Sequence, residues 1–183
     1  MRKARPLASR TIIRAEKNRM TTDEYNQGVK LWADDVFRFA MRSCGDRAVS
    51  QDAVQEAFAS LWEHRGNVPR EKGKPFLITV AYNRIADHFR HEQVRRDSQA
   101  SMPPSHSERR RPDEEFDIKE AVERALETLP HIQRSILQLK DVEGYSYKEI
   151  SNILMISDQQ VCVYLYRARV ALKRQLKDYE YNA

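Results

Sequence analysis

Two helix starts lie eleven residues apart in "SYKEISNILMISDQQVCVYLYRARVALKRQL", Ser146 to Leu176, and that spacing constrains the fold more than any other feature. Ser146 with Glu149 forms an S-x-x-E capping box, in which hydroxyl and carboxylate satisfy each other's otherwise unpaired backbone N–H groups. Ser157 with Gln160 repeats the device. The helix begun at Ser146 must therefore stop near Met155 and Ile156, after two to three turns, and a longer one must follow. Val161, Leu165, Ala168, Leu172 and Leu176 mark the inward stripe of that longer helix. Short helix, tight turn and long helix together describe a helix-turn-helix. In such an element the start of the second helix reads bases, which leaves Asp158, Gln159, Gln160 and Tyr164 as candidates. Glutamine pairs bidentately with adenine, and tyrosine reaches phosphate or stacks. Arg167, Arg169, Lys173 and Arg174 follow and would supply charge toward a phosphate backbone. The opening "VCVYLY" is apolar for a base reader, so a helical hairpin that packs on a protein partner is the competing reading.

The rest of the chain is helical in pattern with one interruption. In "DAVQEAFASLWEH" Ala53, Val54, Ala57, Phe58, Leu61 and Trp62 share one stripe, and Asp52, Gln55, Glu56, Ser60 and Glu63 lie opposite. A solvated surface is the plain reading of that polar side. "RGNVPREKGKPF" follows, with two glycines, two prolines and basic Arg70, Lys72 and Lys74, and it reads as loop from Gly66 to Pro75. Helical spacing resumes through Leu77, Val80, Ala81, Ile85 and Phe89, with Tyr82, Asn83, Arg84, Asp87, Arg90, Arg95 and Arg96 on the other side. Around "QVRRDSQASMPPSHSERRRPDEEF" the period is lost; a polar, proline-containing run of this kind buries too little to order itself. Periodicity returns at Phe116. Acidic residues open that segment, which suits a helix N-terminus, and Pro130 starts a further helix from His131 to about Lys140.

The expected fold is therefore all-α: two small helical domains joined by a flexible linker, the second a four-helix domain ending in the helix-turn-helix. The expected boundaries are a basic N-terminal extension over 1–20, a first domain over 21–96, a linker over 97–115, a second domain over 116–178 and a tail over 179–183.

Charge must be located before it informs. The first 20 residues hold seven basic residues against Glu16 alone, so of the net charge of +5 nothing remains for the other residues. Overall basicity then argues nothing about nucleic acid, and local patches must carry that case. The basic leader reads either as a disordered arm or as sequence upstream of a second start at Met20. No apolar run reaches the ~18 residues of a membrane span, and the leader lacks the apolar core of a secretory signal, which points to a cytoplasmic protein without membrane insertion. Cys44 and Cys162 lie far apart, outside any CxxC spacing, and read as reduced thiols. His88 and His91 have ligand spacing but no further ligands in view. No metal or other cofactor is expected. Asp34 and Asp35 are adjacent and point different ways on a helix, so they make no catalytic carboxylate pair, and no enzyme is expected.

Taken together, these segments resemble the extracytoplasmic-function (ECF) class of bacterial RNA polymerase sigma factors. "DAVQEAFASLWEH" is similar to the region 2 helix of that family with its D-x-x-Q-E-x-F pattern. "FLITVAYNRIADHFR" is similar to the promoter-reading helix W-L-x-x-I-A-x-N-x-x-x-D-x-x-R. "LETLPHIQRSILQLKDVEGYSYKEISNILMIS" and the later R-A-R are similar to region 4. The resemblance implies a monomeric initiation subunit. It implies that Asp52, Gln55 and Glu56 face the clamp helices of the polymerase's largest subunit, that the polymerase flap and promoter DNA are further partners, and that an anti-sigma factor is a candidate partner. It also implies that Arg70, Lys72, Lys74, Asn83, Arg84 and Arg90 serve the −10 element, with a base flipped into the loop. Gln159, Gln160, Tyr164, Arg167, Arg169 and Lys173 would serve the −35 element.

Three positions depart from the family's pattern. Phe76 replaces a usual Trp, Met155 a common turn glycine, and Cys162-Val163-Tyr164 the usual K/R-S-R. Two expected cations are missing from the reading helix, though Arg167 and Arg169 remain, which predicts weak binding to −35 DNA in isolation with a flattened salt dependence. The alternative reading is a stand-alone helix-turn-helix regulator, which would bind palindromic sites as a dimer and leave the first domain without a purpose.

Overall fold

The computed structural model describes residues 19–98 and 118–180. Seven α-helices and no strand occur among these residues: α1 (Thr22–Cys44), α2 (Arg47–His64), α3 (Gly73–Ser98), α4 (Ile118–Glu127), α5 (His131–Leu137), α6 (Tyr147–Leu154) and α7 (Asp158–Glu180). The expected linker lies outside the described residues except for Asp97 and Ser98, which end α3. The expected N-terminal extension lies outside them except for Arg19 and Met20. Met20 is buried, and its N–H donates to the Arg65 carbonyl (2.9 Å), so it belongs to the fold.

Local chemistry explains the helix ends. Thr21 and Glu24 form a capping box at the start of α1, and Gly45, at φ +74°, ends it with its N–H on the Met41 carbonyl. Asp46 caps α2 by accepting from the Val49 N–H. One sequence expectation is corrected here. Arg70–Lys72 form a 3-10 turn and α3 begins at Gly73, so the segment up to Pro75 is not all loop. Pro75 falls in the first turn of α3, where its missing N–H has no intrahelical partner to lose. Gly73 is required by a close approach: a Cβ there would lie 2.5 Å from the Trp32 ring.

α1, α2 and α3 enclose a core of Val36, Ala40, Ala53, Ala57, Leu61, Leu77, Ala81 and Ile85, all but absent from solvent. Trp62, read from sequence as inward, is instead 39% exposed, with the Arg65 guanidinium 3.8 Å from its ring centre. A second cluster gathers Ile136, Leu139, Ile150, Ile153, Leu154, Val161 and Leu165 of the later helices. Phe39 of α1 and Ile78 and Tyr82 of α3 enter this same cluster. The two halves are thus packed on each other through shared apolar contacts, where the sequence led one to expect bodies held only by a tether. Burying a side chain such as Phe39 or Ile78 contributes about 1.5–3 kcal/mol relative to leaving it exposed. Tyr82, expected on the outward side of α3, is accordingly buried.

Candidate nucleic-acid interface

On α2, Asp52, Gln55 and Glu56 are exposed in a row at i, i+3 and i+4, opposite the buried Ala53, Ala57 and Leu61. Arg84 of α3 reaches across to this row, its Nε 3.1 Å from Glu56 Oε2. Asn83, beside it, is exposed. A row of acid and amide groups therefore adjoins an exposed amide and guanidinium on the neighbouring helix, and the α2–α3 packing fixes their relation.

The basic residues of the preceding segment separate in space. Arg70 is exposed and donates to Gln27 Oε1 (3.1 Å), and Lys72 is exposed. Lys74 instead turns inward, with Nζ 2.8 Å from Asp35 and 2.9 Å from Glu143 of the second half. Burial alone would pull the Lys74 ammonium's pKa down, but its bonds to the two carboxylates outweigh that and leave it raised. The bond from Lys74, with smaller help from Arg38, holds the Asp35 carboxyl below its ordinary range. Arg90 is exposed and pairs with Asp87 one turn earlier (2.6 Å).

The helix-turn-helix is built as its caps dictate. Both capping boxes form: Glu149 N–H donates to Ser146 Oγ, and Ser157 N–H donates to Gln160 Oε1 (2.8 Å) while Gln160 N–H donates to Ser157 Oγ (3.1 Å). Met155 ends α6 in the left-handed region, φ +55° and ψ +42°, with its side chain 76% exposed. Ile150 of α6 and Val161 and Leu165 of α7 share the second buried cluster, which joins the two helices.

This geometry sorts the residues singled out on α7. Gln159 and Arg167 are exposed on the outer side. Gln160 is also exposed, but its carbonyl is engaged in the cap. Arg169 is tied back to Asp141 (2.5 and 3.3 Å), with Lys173 beside it in a groove also lined by Leu137, Leu172 and Leu176. Tyr164 is half-buried against the second apolar cluster and turns away from the outer side. The residues that do occupy that side with Gln159 are Cys162, Val163, Tyr166 (70% exposed) and Val170; sequence reasoning placed the first three among the angles open to face outward but gave none of them a reading role, and it passed over Val170. Their helical spacing from Gln159 was the available signal, and their apolar character obscured it. Cys44 and Cys162 are both free thiols.

Known proteins supply the frame for these faces. Residues 29–95 match the family model for Sigma-70 region 2, and residues 119–172 that for Sigma-70, region 4. The chain is 30% identical over 156 residues to the ECF RNA polymerase sigma factor SigM of Bacillus subtilis, covering 84% of this chain and 94% of that one. It is also 30% identical over 151 residues to the ECF RNA polymerase sigma factor SigL of Mycobacterium tuberculosis, covering 78% and 83%. The fold is similar to that of the sigma factor RpoE solved in complex with the anti-sigma factor NepR from Bartonella quintana, with a TM-score of 0.68 at 21% identity over 85% of this chain and 98% of that one. The two regions in their order, on an all-helical scaffold whose polar faces lie outward, identify this chain as a member of the ECF class of RNA polymerase sigma factors.

Proposed function

We propose that this sigma factor divides its work among three faces and serves as the dissociable promoter-reading subunit of RNA polymerase. The observation that carries the assignment is the junction of α2 and α3, where the exposed Asp52, Gln55 and Glu56 row meets Asn83 and Arg84 through the Glu56–Arg84 pair. A protein-binding face and a DNA-binding face then share one rigid helix pair, so docking on the polymerase fixes where DNA is read.

In this reading Asp52, Gln55 and Glu56 dock on the clamp helices of the largest subunit. Asn83 reads the −10 element, Arg84 and Arg90 meet its phosphates, and Arg70 and Lys72 flank the pocket for a flipped base. Extruding that base costs a few kcal/mol, which a shaped pocket must offset, and offsetting it assists promoter opening. Lys74 joins this set once released from Asp35 and Glu143. The start of α7 lies in the major groove of the −35 element with Gln159 at base edges and Arg167 at phosphate, Gln160, Tyr164, Arg169 and Lys173 contributing as their internal bonds allow. The flap of the polymerase takes the second half. The working division is an extension over 1–20, a clamp and −10 domain over 21–96, a linker over 97–115, a −35 domain over 116–178 and a tail over 179–183.

We extend to this chain a regulatory partner of the kind seen with the Bartonella sigma factor, an anti-sigma protein. The site of action is the cytoplasm, and covalent chemistry stays with the polymerase. Run-off transcription with purified core enzyme on genomic fragments tests the reading. Discrete transcripts that depend on the added chain support it. No initiation on any fragment, together with dimeric binding to a palindrome, would transfer the assignment to a stand-alone regulator.

A further inference from the structure

We propose that the outward face of α7 selects its DNA by methyl groups: Val163 and Tyr166 read the C5-methyl of thymine in the −35 element. The inference rests on the sigma-factor reading above and names the base chemistry that this face takes.

Helix geometry assembles the face. At about 100° per residue, Val163, Tyr166 and Val170 lie within about 40° of Gln159 around the axis of α7. The opposite side is closed, since Val161, Leu165 and Ala168 are buried. Val163 is 46% exposed, Tyr166 70% and Val170 50%, so three large apolar side chains meet water in one file. Scattered singly, such residues are ordinary, whereas a contiguous row marks a contact surface.

The neighbours of the row decide what covers it. Arg167 stands four residues after Val163, and Arg174 four after Val170, so each valine has a cation one turn on. Both arginines are exposed, and neither pairs with a carboxylate among the described residues, whereas Arg169 is held by Asp141. The occupant must therefore be anionic and still offer apolar points. The major groove of duplex DNA meets both demands, because phosphates line its edges and the thymine methyl is an apolar group among its base edges.

The same chemistry discriminates between bases. A valine side chain carries no donor or acceptor. Packed on a thymine methyl, it excludes water without costing a hydrogen bond. Over guanine it would cover the N7 and O6 acceptors, and over cytosine the N4 donor, leaving a polar group deprived of water. Tyr166 packs its ring in the same way, with its hydroxyl directed to phosphate. Gln159 stays directed at adenine. From Gln159 to Val163 the helix rises about 6 Å, and base pairs step by about 3.4 Å. The thymine under Val163 then lies one or two pairs from the adenine under Gln159.

Holoenzyme assembled from core enzyme and the full chain tests the proposal. The DNA is a synthetic promoter pool, randomised around −35 and otherwise copied from a fragment that yields a run-off transcript. Selected sequences should place a thymine one or two pairs from an adenine. In one such promoter, deoxyuracil in place of that thymine removes only the methyl and should weaken holoenzyme binding about fourfold, the worth of one buried methyl. Deoxyuracil in the spacer should change nothing. In a chain carrying Val163→Ala and Tyr166→Ala, the −35 exchange should cost less than about 1.5-fold, because the contact it probes is already gone. Both side chains are exposed, so the variant should keep the parent's circular dichroism. A parent holoenzyme indifferent to the methyl overturns the proposal, as does a deoxyuracil penalty undiminished in the double variant. Weaker capture of core enzyme by that variant also overturns it and gives the face to a protein partner. If no fragment yields a transcript, the sigma-factor reading fails and this inference falls with it, whereas indifference to the methyl leaves that reading standing.

Discussion

Replacing Met155 by glycine should make this protein more stable although it removes a large side chain. Met155 sits at φ +55° and ψ +42°, where an L side chain places its Cβ against the following carbonyl at a cost of about 1–2 kcal/mol. Glycine avoids that cost but surrenders about 0.5–1 kcal/mol of chain entropy on folding. The methionine side chain is 76% exposed, so little burial is lost with it. The hydrogen bond from the residue 155 N–H to the Ser151 carbonyl is a backbone contact and survives. The balance favours Met155→Gly by about 0.5–1 kcal/mol, which for a chain of this size moves the midpoint upward by roughly 1–4 °C. Urea titration followed by circular dichroism should show a higher midpoint at unchanged slope. Met155→Ala separates backbone from side chain: it keeps the Cβ penalty and should leave the midpoint nearly where it is. A destabilised glycine variant, or an alanine variant as stabilised as glycine, would refute the argument from backbone strain.

Three further expectations follow from particular contacts. Gly73→Ala would place a Cβ 2.5 Å from the Trp32 ring and should cost about 1–3 kcal/mol in urea unfolding, with Trp32→Phe in the same background recovering part of it. His131 stacks on Phe89 (4.9 Å between ring centres) beside Tyr82, and burial, with a smaller push from Arg134, lowers its pKa. A lowered histidine pKa means that the unfolded chain binds the extra proton first, so stability falls as pH drops below the ordinary value of 6.5. The depressed carboxyls of Asp35 and Glu149 act only at more acidic pH, so between about pH 5 and 6.5 the slope should be flatter in His131→Phe than in the parent. Cys162→Arg returns a cation to the exposed side of α7 and should steepen the salt dependence of promoter binding by holoenzyme by about 0.9 in log–log slope; an unchanged slope would place position 162 away from phosphate.

Local signals were the legible ones. Both capping boxes of the helix-turn-helix form as Ser146, Glu149, Ser157 and Gln160 dictate, because capping is settled within four residues of chain. The inward stripe of Ala53, Ala57, Phe58 and Leu61 is buried, because helical periodicity reports which side avoids water. Periodicity does not report what covers that side. Phe39, Ile78 and Tyr82 lie at helix angles that a lone first domain would leave toward solvent, and only the second half explains their burial. Charge was equally incomplete. Lys74 stands in a basic stretch and looks available for phosphate, but Asp35 and Glu143, 39 and 69 residues away in sequence, claim it. Arg169 belongs to the recognisable R-A-R, yet Asp141 holds it within the domain. Gln160 shows the same limit at short range, since one side chain was read both as a cap and as a base reader and its carbonyl serves the cap.

Capture of core RNA polymerase by the purified chain carrying Gln55→Lys and Glu56→Lys tests the central claim most directly, with Glu56→Gln as a control for losing the Arg84 pair. The account predicts that the double variant keeps its helical content, loses capture of the multisubunit enzyme and initiates no transcript, while Glu56→Gln retains most of both. Undiminished capture and initiation by the double variant would contradict it.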